Sequence, residues 1–105
     1  DGACHNVGNT ETAWSNREAR WSQVIVGVDP DPENANKVTD WCKNYFDALK
    51  PHAMGGAYVN FMMEEGQERV KSSYKGNYDK LVDIKTKYDP DNFFHINQNI
   101  KPKEK

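Results

Sequence analysis

The chain has 105 residues, 36% of them hydrophobic, and a formal net charge of −2, which fits one small domain. The lack of excess positive charge argues against a nucleic-acid surface, because such a surface needs a basic stripe to displace counterions. No apolar run approaches the roughly 18 residues of a membrane span, and no signal peptide is visible. Residue 1 is not Met, and we expect the chain to be a piece of a longer protein.

The N-terminal quarter of the chain falls into two parts of different amino-acid composition. Residues 1–17 are rich in Gly, Asn, Ser and Thr, which predicts a loop with a short strand around residues 3–7. Residues 19–28 end in β-branched side chains that favour a strand covered on both faces, namely Val24, Ile25, Val26 and Val28.

The strongest helix signal lies between Asp31 and Pro51. Asp31 can cap the helix, and Pro32 suits the first helical position. Apolar residues then recur on one stripe, which we expect to be buried against a sheet: Val38, Trp41, Cys42, Tyr45, Phe46 and Leu49. A disulfide between Cys42 and Cys4 stays open, because the two cysteines form no CxxC motif and no disulfide framework.

Residues 55–63, "GGAYVNFMM", predict a second strand. Side chains alternate between the faces of a strand. Val59 and Phe61 should therefore lie on a core face, and Tyr58 and Asn60 on the opposite face.

Two more helices are predicted after the second strand. A weak one covers residues 65–75, and a better one covers 77–88, where Asn77 is the cap and Asp89-Pro90 the stop. The order strand, helix, strand, helix, helix predicts an α+β fold with a small sheet and helices packed on it.

The familiar catalytic and binding motifs are missing from the sequence. The three histidines, His5, His52 and His95, show no HxxxH or HExxH spacing, and we expect no metal site. Neither GxGxxG nor GxxxxGK[ST] occurs, so we expect no phosphate cradle in this chain. Nor is there a GxSxG nucleophile motif or a cysteine in an activating context.

Polar groups that could bind a ligand remain on the predicted second strand and in the tail. Tyr58 is either a site residue or an ordinary half-buried strand tyrosine. The tail amides are either ligand contacts or a loop: Asn92, Asn97, Gln98 and Asn99, with His95 among them.

The C-terminal half resembles a known family. "GGAYVNFM" followed by "YKGNYDKLVDIKTKYDPDNFFHINQNIKP" is similar to the C-terminal berberine-bridge-enzyme-like segment of FAD-linked oxidoreductases, in the vanillyl-alcohol-oxidase-like class. The Y-x-N-[YF] strand, the [YF]-x-G-x-N helix start, the K-x-K-Y-D-P-x-N-x-F turn and the terminal Q-x-I occur in family order. The resemblance is tight over residues 55–102. It is looser upstream, where "GACHNVGNTETAWSNR" resembles a family stretch of small residues followed by T-A-[FW]-x-x-R.

This resemblance implies a fold and a partner. The fold is an antiparallel sheet backed by helices, as part of a larger FAD-linked oxidase. Residues 1–87 would form the substrate-side sheet and helices, and residues 88–105 a tail that returns to an N-terminal FAD-binding domain outside this chain. Because Phe93 and Phe94 are adjacent, we expect one ring in the core and the other facing that domain.

The resemblance also implies roles for single residues. FAD is the cofactor, with Asn60, Asn92 and Gln98 on the cofactor side. The substrate is an alcohol, a sugar or a related hydroxyl compound, oxidised by hydride transfer to flavin. Phe61 stands where several members carry a tyrosine base, so Tyr58 remains as the catalytic candidate. The fragment alone should be inactive and should not retain FAD. The alternative function is a stand-alone α+β binding module without flavin.

Overall fold

Within residues 2–104, which the computed structural model describes, the regular structure is helical. The α-helices are α1 (Ala35–Leu49), α2 (Gln67–Tyr74) and α3 (Tyr78–Tyr88). Short 3-10 turns occupy Ala3–Asn6, Pro32–Asn34, Lys50–His52, Val59–Phe61 and Lys75–Asn77. All three predicted helices are therefore present. The C-terminal end of each lies within about two residues of its predicted position.

The predicted α+β fold with a small antiparallel sheet is wrong, because no β-strand occurs anywhere in residues 2–104. Residues 19–28 form no strand, and Val28 is 84% exposed instead of covered. In the other two predicted strands, residues 3–6 and 59–61 form 3-10 turns. A strand needs a neighbouring strand to pair its backbone N–H and C=O groups. Alternation and β-branching report how a segment would fit a sheet, not whether that neighbour exists.

The chain divides into two compact units. The central unit is Ala19–Met54, and the terminal unit combines the residues up to Glu18 with those from Gly55 onward. The berberine-like motifs of the C-terminal half all lie in the terminal unit.

The start of α1 in the central unit follows the predicted capping chemistry. The Asp31 Oδ1 atom accepts a hydrogen bond from the Glu33 backbone N–H at 3.0 Å, and Pro32 opens the 3-10 turn that leads into the helix. The Asp29 Oδ1 atom accepts from the Asp31 N–H at 2.8 Å. These carboxylates satisfy amides that a helix start leaves without partners. Asp31 therefore caps the turn that leads into α1, whereas Asn34, the N-cap residue of α1 itself, makes no capping hydrogen bond with its side chain.

The apolar stripe of α1 is less covered than predicted. Val38, Cys42 and Leu49 are half-buried, whereas Trp41 is 54% exposed and its ring stacks on that of Tyr45, with centroids 5.4 Å apart. The closest packing is at Gly27, where a Cβ atom would collide with Val38 Cγ1 and lie 2.8 Å from Cys42 Sγ. The Cys42 thiol is free, as is that of Cys4.

The terminal unit is organised around buried polar side chains. Among residues 2–18 and 55–104, the buried ones are Ser15, Asn16, Val70, Ser73 and Asn77, of which Val70 alone is apolar. The Ser73 carbonyl on α2 accepts from Ser15 Oγ at 3.4 Å and from Asn16 Nδ2 at 3.5 Å. The N-terminal loop is thereby joined to α2 through hydrogen bonds.

Asn77 joins the same loop to the start of α3. Its Nδ2 atom donates to the carbonyls of Asn9 (2.7 Å), Thr12 (3.0 Å) and Ala13 (3.3 Å). Asn77 stands at the N-cap position of α3 as predicted, but its side chain makes no capping hydrogen bond. Carbonyls accept hydrogen bonds only, so the amide nitrogen must face this loop.

Candidate functional site

Tyr58 and Asn60 contact each other directly. The Asn60 Nδ2 atom donates to the Tyr58 hydroxyl oxygen at 2.8 Å, and Tyr58 is 47% exposed. The two glycines before them have positive φ angles, +75° at Gly55 and +78° at Gly56, and turn the chain into this segment. Because the amide nitrogen can only donate, the Tyr58 oxygen accepts, and its own proton is left for another acceptor.

Two aromatic rings border Tyr58. Its ring centroid lies 5.9 Å from that of Trp14 and 5.1 Å from that of Phe61, both edge-on at interplanar angles of 81° and 84°. The expectation that Tyr58 and Phe61 face opposite ways is therefore wrong. Residues 59–61 form a 3-10 turn, and three residues per turn bring positions i and i+3 to the same side.

Gln98 binds the end of the same segment. Its Nε2 atom donates to the carbonyls of Met62 at 2.9 Å and Met63 at 3.1 Å. Nearby, Gln67 Nε2 on α2 donates to the Asn99 carbonyl at 3.2 Å. The predicted site residues Tyr58, Asn60 and Gln98 therefore lie on one connected stretch of the terminal unit.

Asn92 belongs to a separate turn that begins where α3 ends. Its φ angle is +53°, a left-handed conformation that asparagine tolerates better than most residues. Its Oδ1 atom is buried and has no hydrogen-bond partner. Such an acceptor is unusual in a folded protein, because losing water without gaining a donor costs about 1–3 kcal/mol.

Asp89 organises this turn. Its Oδ1 atom accepts from the Phe93 N–H at 2.7 Å, and its Oδ2 atom accepts from the Phe94 N–H at 3.0 Å and from Lys85 Nζ. The hydrogen bond from the Lys85 ammonium, helped by the two backbone amides, lowers the pKa of the Asp89 carboxyl.

The prediction that one of the two phenylalanine rings lies in the core is wrong. Phe93 is 78% and Phe94 76% exposed, and their centroids lie 5.0 Å apart. Both backbone amides turn toward the Asp89 carboxylate, so this segment is not an extended strand whose side chains alternate.

Other types of site find little support in the part of the chain that the structure describes. No group of three or more His, Cys, Asp or Glu side chains there could hold a metal ion. None of the helices within 2–104 combines the length and the apolar content that crossing a bilayer requires.

Comparison with known proteins places these residues in a family. The family model described as "Berberine and berberine like" matches residues 57–101, a range that contains all four predicted site residues. The similarity to the berberine and berberine-like family thus covers residues 57–101. The resemblance inferred from the motifs is thereby confirmed.

Curated relatives of this chain occur in distant organisms. An FAD-linked oxidoreductase of Dictyostelium discoideum is 29% identical over 87% of this chain and 20% of its own length. Berberine bridge enzyme-like 24 of Arabidopsis thaliana is 32% identical over 71% of the chain and 17% of its length. The uncharacterized FAD-linked oxidoreductase YgaK of Bacillus subtilis is 30% identical over 96% of the chain and 22% of its length. The chain thus spans about one fifth of these curated relatives.

The motifs did not reveal every residue around the site. Trp14 lies outside the berberine-like match over residues 57–101. It occupies the [FW] position of the upstream T-A-[FW]-x-x-R stretch, but that motif gave it no role and no spacing rule connects it to Tyr58. Lys85 and Asp89 lie within the "KYDP" motif region, where Asp89 was interpreted only as a helix stop. Their i, i+4 spacing on a helix was the available signal for the ion pair.

Proposed function

We propose that this chain supplies the substrate side and a flavin-facing turn of an FAD-dependent oxidoreductase that oxidises an alcohol, a sugar or a related hydroxyl compound. The observation that carries the proposal is the Asn60–Tyr58 hydrogen bond within the berberine-like segment. It leaves the Tyr58 proton directed to a partner other than Asn60, next to two aromatic rings. The printed names of the relatives, FAD-linked oxidoreductase among them, support the cofactor class.

The chemistry of these residues supports contacts with one edge of a flavin. The buried Asn92 Oδ1 atom lacks a donor, and the flavin ring carries an N–H group that can supply one. The diphosphate needs backbone amides or basic groups, and the sequence shows no glycine-rich cradle for it. We therefore assign Asn92, with Asn60 and Gln98, to contacts with the flavin ring, and phosphate binding to the FAD-binding domain of the same protein.

Bound FAD would supply the acceptor for the hydride that leaves the substrate carbon. Tyr58 would donate its free hydroxyl proton in a hydrogen bond to a substrate oxygen and so fix the position of that carbon. Trp14 and Phe61 would cover the apolar part of the substrate. Phe61 carries no group that takes a proton, and we assign the base that receives the hydroxyl proton to no residue of this chain.

Replacement of Tyr58 by Phe in the full-length protein tests the proposal. The variant keeps the ring contacts and loses the donated hydrogen bond, so kcat/KM should fall about tenfold or more, as expected for a lost bond worth on the order of 1–3 kcal/mol. Tyr88→Phe is the matched control, because Tyr88 is 73% exposed at the end of α3 and should show wild-type rates. Wild-type turnover in Tyr58→Phe would remove Tyr58 from the site.

A second variant reverses the hydrogen bond instead of deleting it. In Asn60→Asp the new carboxylate can only accept, so the Tyr58 hydroxyl must donate to it and is lost to the substrate. We expect Asn60→Asp to be as slow as Tyr58→Phe, and the double variant to be no slower than either. Additive losses would show that the two residues act separately.

The cofactor is tested on the same protein. Purified full-length protein should show the visible absorption of oxidised flavin and should release FAD or flavin peptides after denaturation and digestion. A colourless protein that binds no added FAD would contradict the proposed function.

A further inference from the structure

Asp89 receives the backbone amides of three successive residues. Its main-chain carbonyl accepts from the Asn92 N–H at 3.1 Å, and its two carboxylate oxygens accept from those of Phe93 and Phe94. Pro90 lies inside this loop and has no N–H to contribute. One side chain therefore satisfies amides that would otherwise have no partner beyond the end of α3.

Lys85 closes the loop from the last turn of α3. Its Nζ atom donates to Asp89 Oδ2 and also to the Phe94 carbonyl at 2.5 Å. The side chains of Lys85 and Asp89 are 14% and 13% exposed, so they have given up most of their water for these contacts. Charge-assisted hydrogen bonds of this kind are about twice as strong as neutral ones.

A second Lys–Asp pair of the terminal unit is far more exposed than Lys85 and Asp89. Lys103 Nζ lies 2.5 Å from Asp83 Oδ1, but these side chains are 64% and 63% exposed. The Asp83 pair is an ordinary surface ion pair of small energetic value. The side chains of the Lys85–Asp89 pair are largely buried, and their remaining hydrogen bonds go to the backbone of Phe93 and Phe94.

We propose that Lys85 and Asp89 are a positioning pair that holds the turn at residues 92–94 so that the Asn92 amide is preset for its ligand. The Asn92 backbone is held left-handed while its Oδ1 atom stays without a donor. Conformational strain next to an unsatisfied acceptor is kept only where surrounding contacts impose it. The flavin as the ligand of Asn92 rests on the proposed function, whereas the order of the turn does not.

Two readouts on the full-length protein test the proposal: the hydrogen-exchange rates of the Phe93 and Phe94 amides, and the visible band and reduction potential of the bound flavin. Asp89→Asn keeps the size of the side chain but loses its charge and one acceptor. We expect exchange of both amides to become about tenfold faster or more, and the flavin band and potential to shift. Asp83→Asn, the matched control, should change none of these quantities.

Each outcome decides one part of the proposal. Unchanged exchange at Phe93 and Phe94 in Asp89→Asn would overturn the positioning pair. Faster exchange with an unchanged flavin band and potential would overturn its role toward flavin. A wild-type protein without flavin would overturn the proposed function and the flavin role together, while the exchange rates would still decide whether the pair orders the turn. If Asp89→Asn does not fold, Lys85→Met removes the other half of the pair and should give the same result.

Discussion

The central and terminal units reach their structures by different means. In the central unit, α1 carries the clearest apolar stripe of the sequence, yet no residue of Ala19–Met54 is buried. In the terminal unit, α2 and α3 have weaker stripes, but Val70 and Ser73 on α2 and Asn77 just before α3 are buried. Periodicity thus identified the helices in both units, and hydrogen-bonding side chains decided where burial occurs.

The contrast has a physical cause. An apolar stripe lowers the free energy only in proportion to the area that something else covers. A buried amide, in contrast, has to meet specific partners, because an unpaired polar group is costly. Asn77 and Ser73 therefore specify which loop packs on α2 and α3, whereas Trp41 and Tyr45 stack on each other and stay exposed.

The largest effect should come from Asn77. Asn77→Ala removes the donor shared by three loop carbonyls, and we expect a loss of about 1–3 kcal/mol in the free energy of unfolding. Asn77→Asp should cost more, because a carboxylate would face those carbonyls. Asn34→Ala in the central unit is the control, since its side chain pairs only with exposed Lys37 and should change stability by less than about 0.5 kcal/mol. Urea titration measures the free energy of unfolding of each variant. Equal losses in Asn77→Ala and Asn34→Ala would contradict the difference between the two units.

Valine truncation sharpens the same comparison. Val70 on α2 is 2% exposed, whereas Val28 in the central unit is among the most exposed valines. Val70→Ala should cost about 2 kcal/mol through lost burial and the cavity left behind, and Val28→Ala close to zero. Thermal denaturation of the two variants gives the difference. A large loss in Val28→Ala would mean that the rest of the protein covers this side chain.

Gly27 tests the one tight contact of the central unit. Gly27→Ala would place a methyl group against Val38 Cγ1 and Cys42 Sγ, which should cost about 1–2 kcal/mol by overpacking. The double variant Gly27→Ala/Val38→Ala makes room for the methyl group and should recover part of the loss. A neutral single variant, measured in the same titration, would show that residues 26–28 do not rest on α1.

The smallest effect concerns pH and belongs to the terminal unit. Since the folded-state pKa of Asp89 is lowered, its stabilisation of the turn is complete above the ordinary carboxyl pKa of 3.8 and is lost as the pH falls through the folded value. We expect the Phe93 and Phe94 amide resonances to stay constant from neutral pH down to about 4 and to move below it. In Asp89→Asn this step should be absent, and a step near neutral pH would contradict the assignment.

Local chemistry could be predicted from the sequence, and pairing between distant segments could not. The Asp31 cap and the Asp89-Pro90 stop were identified correctly because each acts within a few residues. The strands at 19–28 and 55–63 were not, because a strand is defined by a partner elsewhere in the chain. The motifs singled out Tyr58, Asn60 and Gln98, but Gln98 reaches Met62 and Met63, and the ring of Trp14 reaches Tyr58, only through the fold.

The place of Trp14 has a consequence for recombination between relatives. Tyr58 and Asn60 lie in the berberine-like segment, but the ring that borders them comes from before residue 57. A chimera that exchanges only residues 57–101 would transplant the hydroxyl and its amide and leave the host's own residue at position 14 beside them. Crossover points upstream of Trp14 would move these three side chains as one inherited block.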